Sequence, residues 1–539
     1  MADSVTLPGP AAGVQDENHA VAEAAGLIGA ATFSSRLLGF LRDMVLARLF
    51  GATAAADAFF VAYRIPNLLR ELFAEGSMSS AFIPVFTEYH TLRARRDAWE
   101  LASAVFTTLL SILTGVTIAG ILAAPAIVWL LAPGFHDEPS RLMMTTRLTQ
   151  IMFPYLLFIS LAALAMGVLN SVRAFAAPAL SPVLFNICII ASAFLLSPLL
   201  AEPIIGVAIG VVIGGAAQFL MQLPGLRRRG LLFGWRFQPG HPGVKRIGTL
   251  LLPSLVGMSV TQVNITVSTI LASFFAGAPT YLFYGMRLIQ FPLGIFGVAL
   301  ATAILPTFSA QVARGAWQEL RTTLEFGLRM VLFIMLPAML GLILLRRPIV
   351  HLFFEHGVFS AVDTEATAAA LLAYALGLWA FGSLRIVVAA FYSMQDTKTP
   401  ALVAMGAVAA NLVLALLLMA PLRHVGLALA TALAAMLNVG TLVAVLDRRV
   451  QGMNWNAVGR SAGRVLAASL PMVLVCVWIA GLAVWSREGD WAAKTVMLFV
   501  GIGLSLTGYI GVHALLRSEE LEVLWKLVRG KFRHEAAQR

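Results

Sequence analysis

Ionisable residues set inside long apolar runs are the feature of this sequence with the clearest chemical consequence. Arg36, Arg42 and Asp43 lie in one such run and Asp57, Arg64 and Arg70 in the next. Arg287 is the sole charge between Tyr281 and Pro292. A charge at the centre of a bilayer helix costs at least roughly 2.5–3.5 kcal/mol on insertion scales, so such residues turn towards a polar cavity or a partner. Arg36 and Asp43 are seven apart, as are Asp57 and Arg64, so each pair shares a helix face. A guanidinium stays protonated, and its planar fork matches two oxygens of a phosphate. Singly, each arginine reads as well as a group paired internally or snorkelling to an interface. Together, Arg36, Arg42, Arg64, Arg70 and Arg287 favour one cationic cavity for an anion, with Asp43 and Asp57 beside them and Glu75 and Gln290 as accessory groups.

Other candidates are weaker. His351, Glu355 and His356 could suggest a metal, but the histidines are five apart and straddle the helix face, so no metal is assigned. Gly206, Gly210 and Gly214, four apart, read as a helix-packing stripe. No P-loop, nucleophile elbow or dinucleotide fingerprint is present, so neither an ATP-driven nor a catalytic role has support. No cofactor is expected.

The elements that must position these charges are membrane helices. The chain has 539 residues, 59% hydrophobic and 12% charged, with a mean hydropathy of +0.85. A soluble domain carries about 25% charged residues. That contrast excludes a soluble enzyme, a disordered chain and a secreted disulfide scaffold. Cutting at polar, proline/glycine and charged punctuation gives fourteen spans: 24–50, 55–88, 99–131, 142–169, 177–197, 204–223, 249–275, 281–311, 324–345, 364–394, 400–420, 425–446, 465–485 and 491–516. Residues 1–23 read as a disordered cytoplasmic tail and 224–248 as a basic cytoplasmic linker. With a cytoplasmic N-terminus, the inner segments hold 23 Lys and Arg and the outer ones 5. This bias places both termini in the cytoplasm. The net charge of +11 then reflects cytoplasmic loops rather than nucleic-acid binding. Beyond the last span, residues 517–539 form a cytoplasmic tail in which Leu521, Leu524, Trp525, Val528 and Phe532 make one apolar stripe. This suits a helix lying on the membrane.

The spans also repeat. Ile83-Pro84-Val85-Phe86-Thr87 matches Leu305-Pro306-Thr307-Phe308-Ser309, and Pro178-Ala179-Leu180 matches Pro400-Ala401-Leu402, both at an offset of 222. Tyr63-Arg64-Ile65 matches Met286-Arg287-Leu288 at 223. Six spans separate the copies, so both have the same orientation. Two six-helix lobes, 24–223 and 249–446, are expected about an axis along the membrane normal, with a site between them. The spans in 465–516 stand outside the duplication.

Ser35-Arg36-Leu37-Leu38-Gly39-Phe40-Leu41-Arg42-Asp43, then Ala56-Asp57-Ala58-Phe59-Phe60-Val61-Ala62-Tyr63-Arg64-Ile65-Pro66-Asn67-Leu68-Leu69-Arg70, then Phe73-Ala74-Glu75-Gly76 resemble the MurJ (MviN) family. So do Phe153-Pro154-Tyr155, Gln290-Phe291-Pro292-Leu293-Gly294 and Gln395-Asp396-Thr397-Lys398-Thr399-Pro400. The family comprises bacterial lipid II flippases of the multidrug/oligosaccharidyl-lipid/polysaccharide exporter superfamily. The resemblance covers essentially residues 24–516. It implies an all-α fold of fourteen transmembrane helices, a cationic central cavity and a lipid-tail groove formed by the last two helices. The family's important charges map onto Arg36, Arg42, Asp43, Asp57, Arg70 and Arg287. Where many members have an acid just before the last of these, this chain has Met286.

The implied activity is alternating-access movement of lipid II from the cytoplasmic to the periplasmic leaflet of the bacterial inner membrane. The membrane potential or an ion gradient would drive it. Lipid II, membrane lipids and cell-wall synthesis proteins are the implied partners of a monomer. Two rivals remain: a flippase for another polyprenyl-linked glycan, and a cation-coupled multidrug exporter, whose site should be more apolar or acidic.

Overall fold

The computed structural model describes residues 10–71, 78–231, 233–486, 489–523 and 525–526, with side chains from Gly26 onwards except at 78–80, 252–261, 298 and 486. Glu75 lies outside the described residues, as do Leu524, Val528 and Phe532 of the C-terminal stripe. All regular structure among the described residues is helical. The chain divides into two compact units. Unit 1 is Met1–Leu46 with Ala58–Gln262, and unit 2 is Ala47–Asp57 with Val263–Arg539.

The helices of the first half are α1 (Pro10–Phe50), α2 (Ala54–Arg70), α3 (Met78–Leu92), α4 (Arg95–Leu131), α5 (Pro139–Met152), α6 (Pro154–Ser171), α7 (Ala176–Leu195), α8 (Ile204–Arg228) and α9 (Pro242–Ala272). The tail expected to be disordered is helical from Pro10, because proline suits a first helical turn and the Ala-rich stretch behind it favours the helix. The expected fourth span is broken into α5 and α6 before Pro154, which cannot donate into the helix. In unit 1, α8 packs against α5, α6 and α7, and α3 and α4 pack against α6. The glycine stripe explains the closest of these seams. A Cβ on Gly206, Gly210 or Gly214 would stand 2.6, 2.6 and 2.7 Å from atoms of Ser197, Ser192 and Phe185.

The segment expected to be a linker is bonded to the helices of the first half. Gly234 N donates to Ser103 Oγ, Arg236 N donates to Thr107 Oγ1, and Arg246 pairs with Glu88. These bonds hold it against α4 and α3, and the division between units falls later, inside α9.

The second half holds α10 (Ala278–Pro292), a π-helical turn Leu293–Gly297, α11 (Val298–Ala313), α12 (Trp317–Leu344), α13 (Arg346–Phe354), α14 (Ala361–Ala375), α15 (Leu378–Ser393), α16 (Lys398–Arg449), α17 (Trp455–Ala468), α18 (Leu470–Ala480) and α19 (Trp491–Leu515). Helix α16 contains the two spans expected at 400–420 and 425–446. Arg423 breaks it at φ 50° and ψ −131°. Gly426 lets the second leg fold back, since a Cβ there would lie 2.2 Å from the Leu418 carbonyl oxygen. Helix starts repeat at an offset of 222 between the halves: Arg95 with Trp317, Pro139 with Ala361, and Ala176 with Lys398. The break at Phe153 also has its counterpart at Leu376–Gly377.

Nine helical stretches among the described residues are long and apolar enough to cross a membrane, ten if α14 and α15, bent by 40°, count as one. Helices α1 and α2, which carry Arg36, Arg42, Asp43, Asp57, Arg64 and Arg70, are not among them. Leu474, Val477 and Trp478 of α18, with Val496, Phe499 and Val500 of α19, stand exposed. That exposure suits contact with lipid chains.

Candidate anion-binding site

In unit 1 the candidate charges sit on α1 and α2. Arg36 is exposed. The carbonyl of Ser35 beside it accepts a 3.2 Å bond from Asn186 Nδ2 of α7, which ties this turn of α1 to the bundle. Arg42 and Asp43 pair directly. Nε and Nη2 of Arg42 donate to Asp43 Oδ1 at 3.0 and 2.7 Å, and Asp43 is fully buried. The pair engages the Nε–Nη2 edge of the guanidinium fork.

Arg70 belongs to a network. Its Nε donates to Asn67 Oδ1 at 3.0 Å. Asn67 Nδ2 donates to Glu71 Oε1 at 2.8 Å, and Gln262 Nε2 donates to Glu71 Oε2. Sequence reasoning had not singled out Asn67 and Gln262. Their one signal was an amide inside a hydrophobic stretch, for Asn67 with an acid four residues on. Arg64 differs from both neighbours. Nε and Nη2 of Arg64 are buried and have no hydrogen-bond partner among the described residues. A buried unsatisfied donor on a charged group is costly, so this guanidinium calls for an acceptor.

Unit 2 holds Arg287 and Asp57. Arg287 is half-buried on α10, beside half-buried Met286, and Gln290 is exposed. Asp57 is fully buried and caps α10. It accepts from Gly277 N at 2.7 Å, Thr280 N at 3.1 Å and Thr280 Oγ1 at 2.6 Å. Its carboxylate therefore satisfies the orphan donors at the start of the helix that carries Arg287. The structure gives Asp57 a positioning task, where the sequence had read it as a cavity group. Among the described residues no three His, Cys, Asp or Glu side chains come together as a metal site.

A family model described as lipid II flippase MurJ matches residues 46–499. The chain belongs to the MurJ family. The probable lipid II flippase MurJ of Vibrio cholerae serotype O1 is 38% identical over 506 residues, which cover 91% of this chain and 95% of that relative. The lipid II flippase MurJ of Burkholderia cenocepacia is 35% identical over 456 residues, 83% and 88% of the two chains. A solved structure of lipid II flippase MurJ in an inward closed conformation matches with a TM-score of 0.75 at 28% identity, covering 91% of this chain and all of that one. An inward-facing multidrug transporter of the MOP superfamily shares the fold, with a TM-score of 0.64 at 14% identity over 77% of this chain and 94% of its own. This MurJ-family chain is a multi-pass membrane protein.

Proposed function

We propose that this chain is a lipid II flippase, a transporter rather than an enzyme, which carries the substrate's pyrophosphate past the hydrocarbon on its arginines. An unpaired ion in hydrocarbon costs tens of kcal/mol by Born estimates. Arg36, Arg42, Arg64 and Arg70 on α1 and α2, and Arg287 on α10, supply the compensating charge. Asp43 and Asp57 position two of the elements concerned, and Glu71 sets the orientation of Arg70. Arg64 is the observation that carries the reading: its buried, unpartnered donors match the two oxygens of a phosphate. Its counterpart at the 223-residue offset is Arg287, the sole charge between Tyr281 and Pro292.

The reading includes fourteen spans, twelve in two repeated six-helix sets and two beyond them, and the equal helix-start offsets support the repeat. Both termini are cytoplasmic, the membrane is the inner membrane, and the exposed apolar faces of α18 and α19 hold the lipid tail. Alternating access between repeated halves moves the headgroup outward. An inside-negative potential favours outward movement of an anion by about 2.3 kcal/mol per charge per 100 mV.

The test is flipping of purified lipid II in proteoliposomes. Arrival of the headgroup on the far leaflet, dependent on the protein and slowed when the potential is collapsed, is the expected result. Failure to move lipid II while moving a different polyprenyl-linked glycan would overturn the substrate assignment.

A further inference from the structure

Away from these arginines, unit 2 buries a chain of titratable groups that the transport reading does not use. Lys494, near the start of α19, is 1% exposed, and its Nζ lies 2.9 Å from His351 Nε2 on α13. His351 Nδ1 lies 2.9 Å from Glu355 Oε2, which also accepts from Thr364 Oγ1 of α14 at 2.6 Å. These groups face a cavity of about 580 Å³ that Trp485, Trp491, Arg347 and Glu365 also line. The His351 ring stacks on Trp491 with centroids 5.4 Å apart, and the Lys494 amine lies 4.7 Å from the same indole.

The donors and acceptors fix the proton positions. A lysine ammonium has only donors to offer, so His351 Nε2 must accept. His351 is then neutral, with its proton on Nδ1 directed at Glu355. Burial raises the Glu355 carboxyl, but the bonds from His351 and Thr364 outweigh it and hold the group below the ordinary carboxylate value. Glu355 thus remains an acceptor. A second proton on His351 would set an N–H against the ammonium at 2.9 Å, and that contact could not persist.

The other charges facing His351 do not relieve the conflict. Arg347 of α13 pairs with Glu365 of α14. Asp363 of α14 is engaged by Ser360 and Tyr281. Arg346 donates to the Ile343 carbonyl. His356 donates to the Leu352 carbonyl, and burial lowers its basicity. The charged residues of α12, from Glu319 to Arg329, lie at least fifteen residues before its end next to α13.

We propose that His351 is a proton-binding site, and that proton uptake there breaks the His351–Lys494 contact and unseats the start of α19 from α13. The site goes beyond the substrate reading and rests on it only for its consequence. Helices α18 and α19 are the pair assigned to the lipid tail, so acid on this face would loosen the tail-holding pair.

Hydrogen exchange of the purified full chain, resolved to peptides covering 346–356 and 491–500 and corrected for intrinsic rates, tests this between about pH 8 and about pH 5. The wild type should lose protection in acid, its opening constant rising by up to about tenfold per pH unit, the slope for one linked proton. His351→Gln, whose amide can both accept from Lys494 and donate to Glu355, should stay protected and flat. His356→Gln should keep the wild-type step. Lys494→Met should be open and flat throughout, and it decides the matter if the glutamine variant misfolds. An acid step of wild-type size in His351→Gln or in Lys494→Met would overturn the proposal. The readout contains no lipid II, so it fails separately from the flippase assignment. In liposomes that flip lipid II, the His351→Gln variant should lose less activity in acid than the wild type, and equal loss would count against the link to the tail.

Discussion

Arg287 keeps a charge on α10 that Asp57 holds in place from the helix start, and the two residues invite different tests. Arg287→Ala should abolish rescue of a flippase-depleted strain at normal protein level, and Arg287→Lys should rescue in part, because it keeps the charge but loses the fork. Full rescue by the alanine variant would remove Arg287 from the site. Asp57→Ala strands the Gly277 and Thr280 amides in a buried place, so it should lower stability by about 2–3 kcal/mol, whereas Asp57→Asn keeps one acceptor and loses less. Thermal unfolding in detergent reads the order wild type, Asn, Ala. These two residues also mark what the sequence could and could not disclose. A lone arginine in an apolar run is visible without a fold, because its cost is local. The Asp57 cap pairs residues 220 and 223 apart, a tie that no helical period announces.

At the scale of elements, the apolar punctuation fell near the ends of the nine or ten stretches that are long and apolar enough to cross a membrane among the described residues, because hydrocarbon thickness constrains helix length directly. It missed the breaks at Phe153 and Leu376, where a span stays apolar while its hydrogen-bond ladder is interrupted. It also missed the docking of 233–241 on α4, where polar residues bind protein rather than solvent. The Gln395–Pro400 motif was legible as a family signature, and the structure supplies its work. The Asp396 carboxylate accepts from Thr399 N at 2.9 Å, Thr399 Oγ1 at 2.6 Å and Arg449 Nη1 at 2.6 Å. It thereby caps the start of α16 and ties it to the end. Hydrogen bonds from Thr399, with Arg449 adding to them, push the Asp396 carboxyl down to about 2. Its folded value lies below the unfolded one, so its stabilisation is present above about pH 4 and is lost as pH falls towards 2. The difference in thermal midpoint between wild type and Asp396→Asn should hold level from neutral pH to about pH 4, then close. A difference that closes already near neutrality would assign the effect to another group.

For the whole molecule, the polar ties within each unit constrain topology by parity. In unit 1, His90, Arg95, Arg173 and Arg229 line one cavity of about 340 Å³, so three loops that are far apart in sequence lie at the same end of the bundle. Two proposed spans separate each loop from the next, as a common side requires. At the other end, Arg147 and Glu202 approach to 3.6 Å, again across two spans. In unit 2, Asp396 meets Arg449 across two spans, Arg321 Nη1 donates to the Gly452 carbonyl across four, and His351 meets Lys494 across four. A missed or surplus helix inside any of these intervals would put bonded partners on opposite faces of the membrane. The loops gathered around Arg95, Arg173 and Arg229, and around Arg449, are basic, and on the proposed orientation those ends face the cytoplasm. Reporters fused after residues 95, 228 and 450 should therefore read cytoplasmic, and those near 136 and 488 should read outside. An outside signal at 228 with a cytoplasmic one at 95 would contradict the shared cavity as well as the span count. Inversion of all five would leave the helix count standing and reverse the direction in which the arginines load their anion.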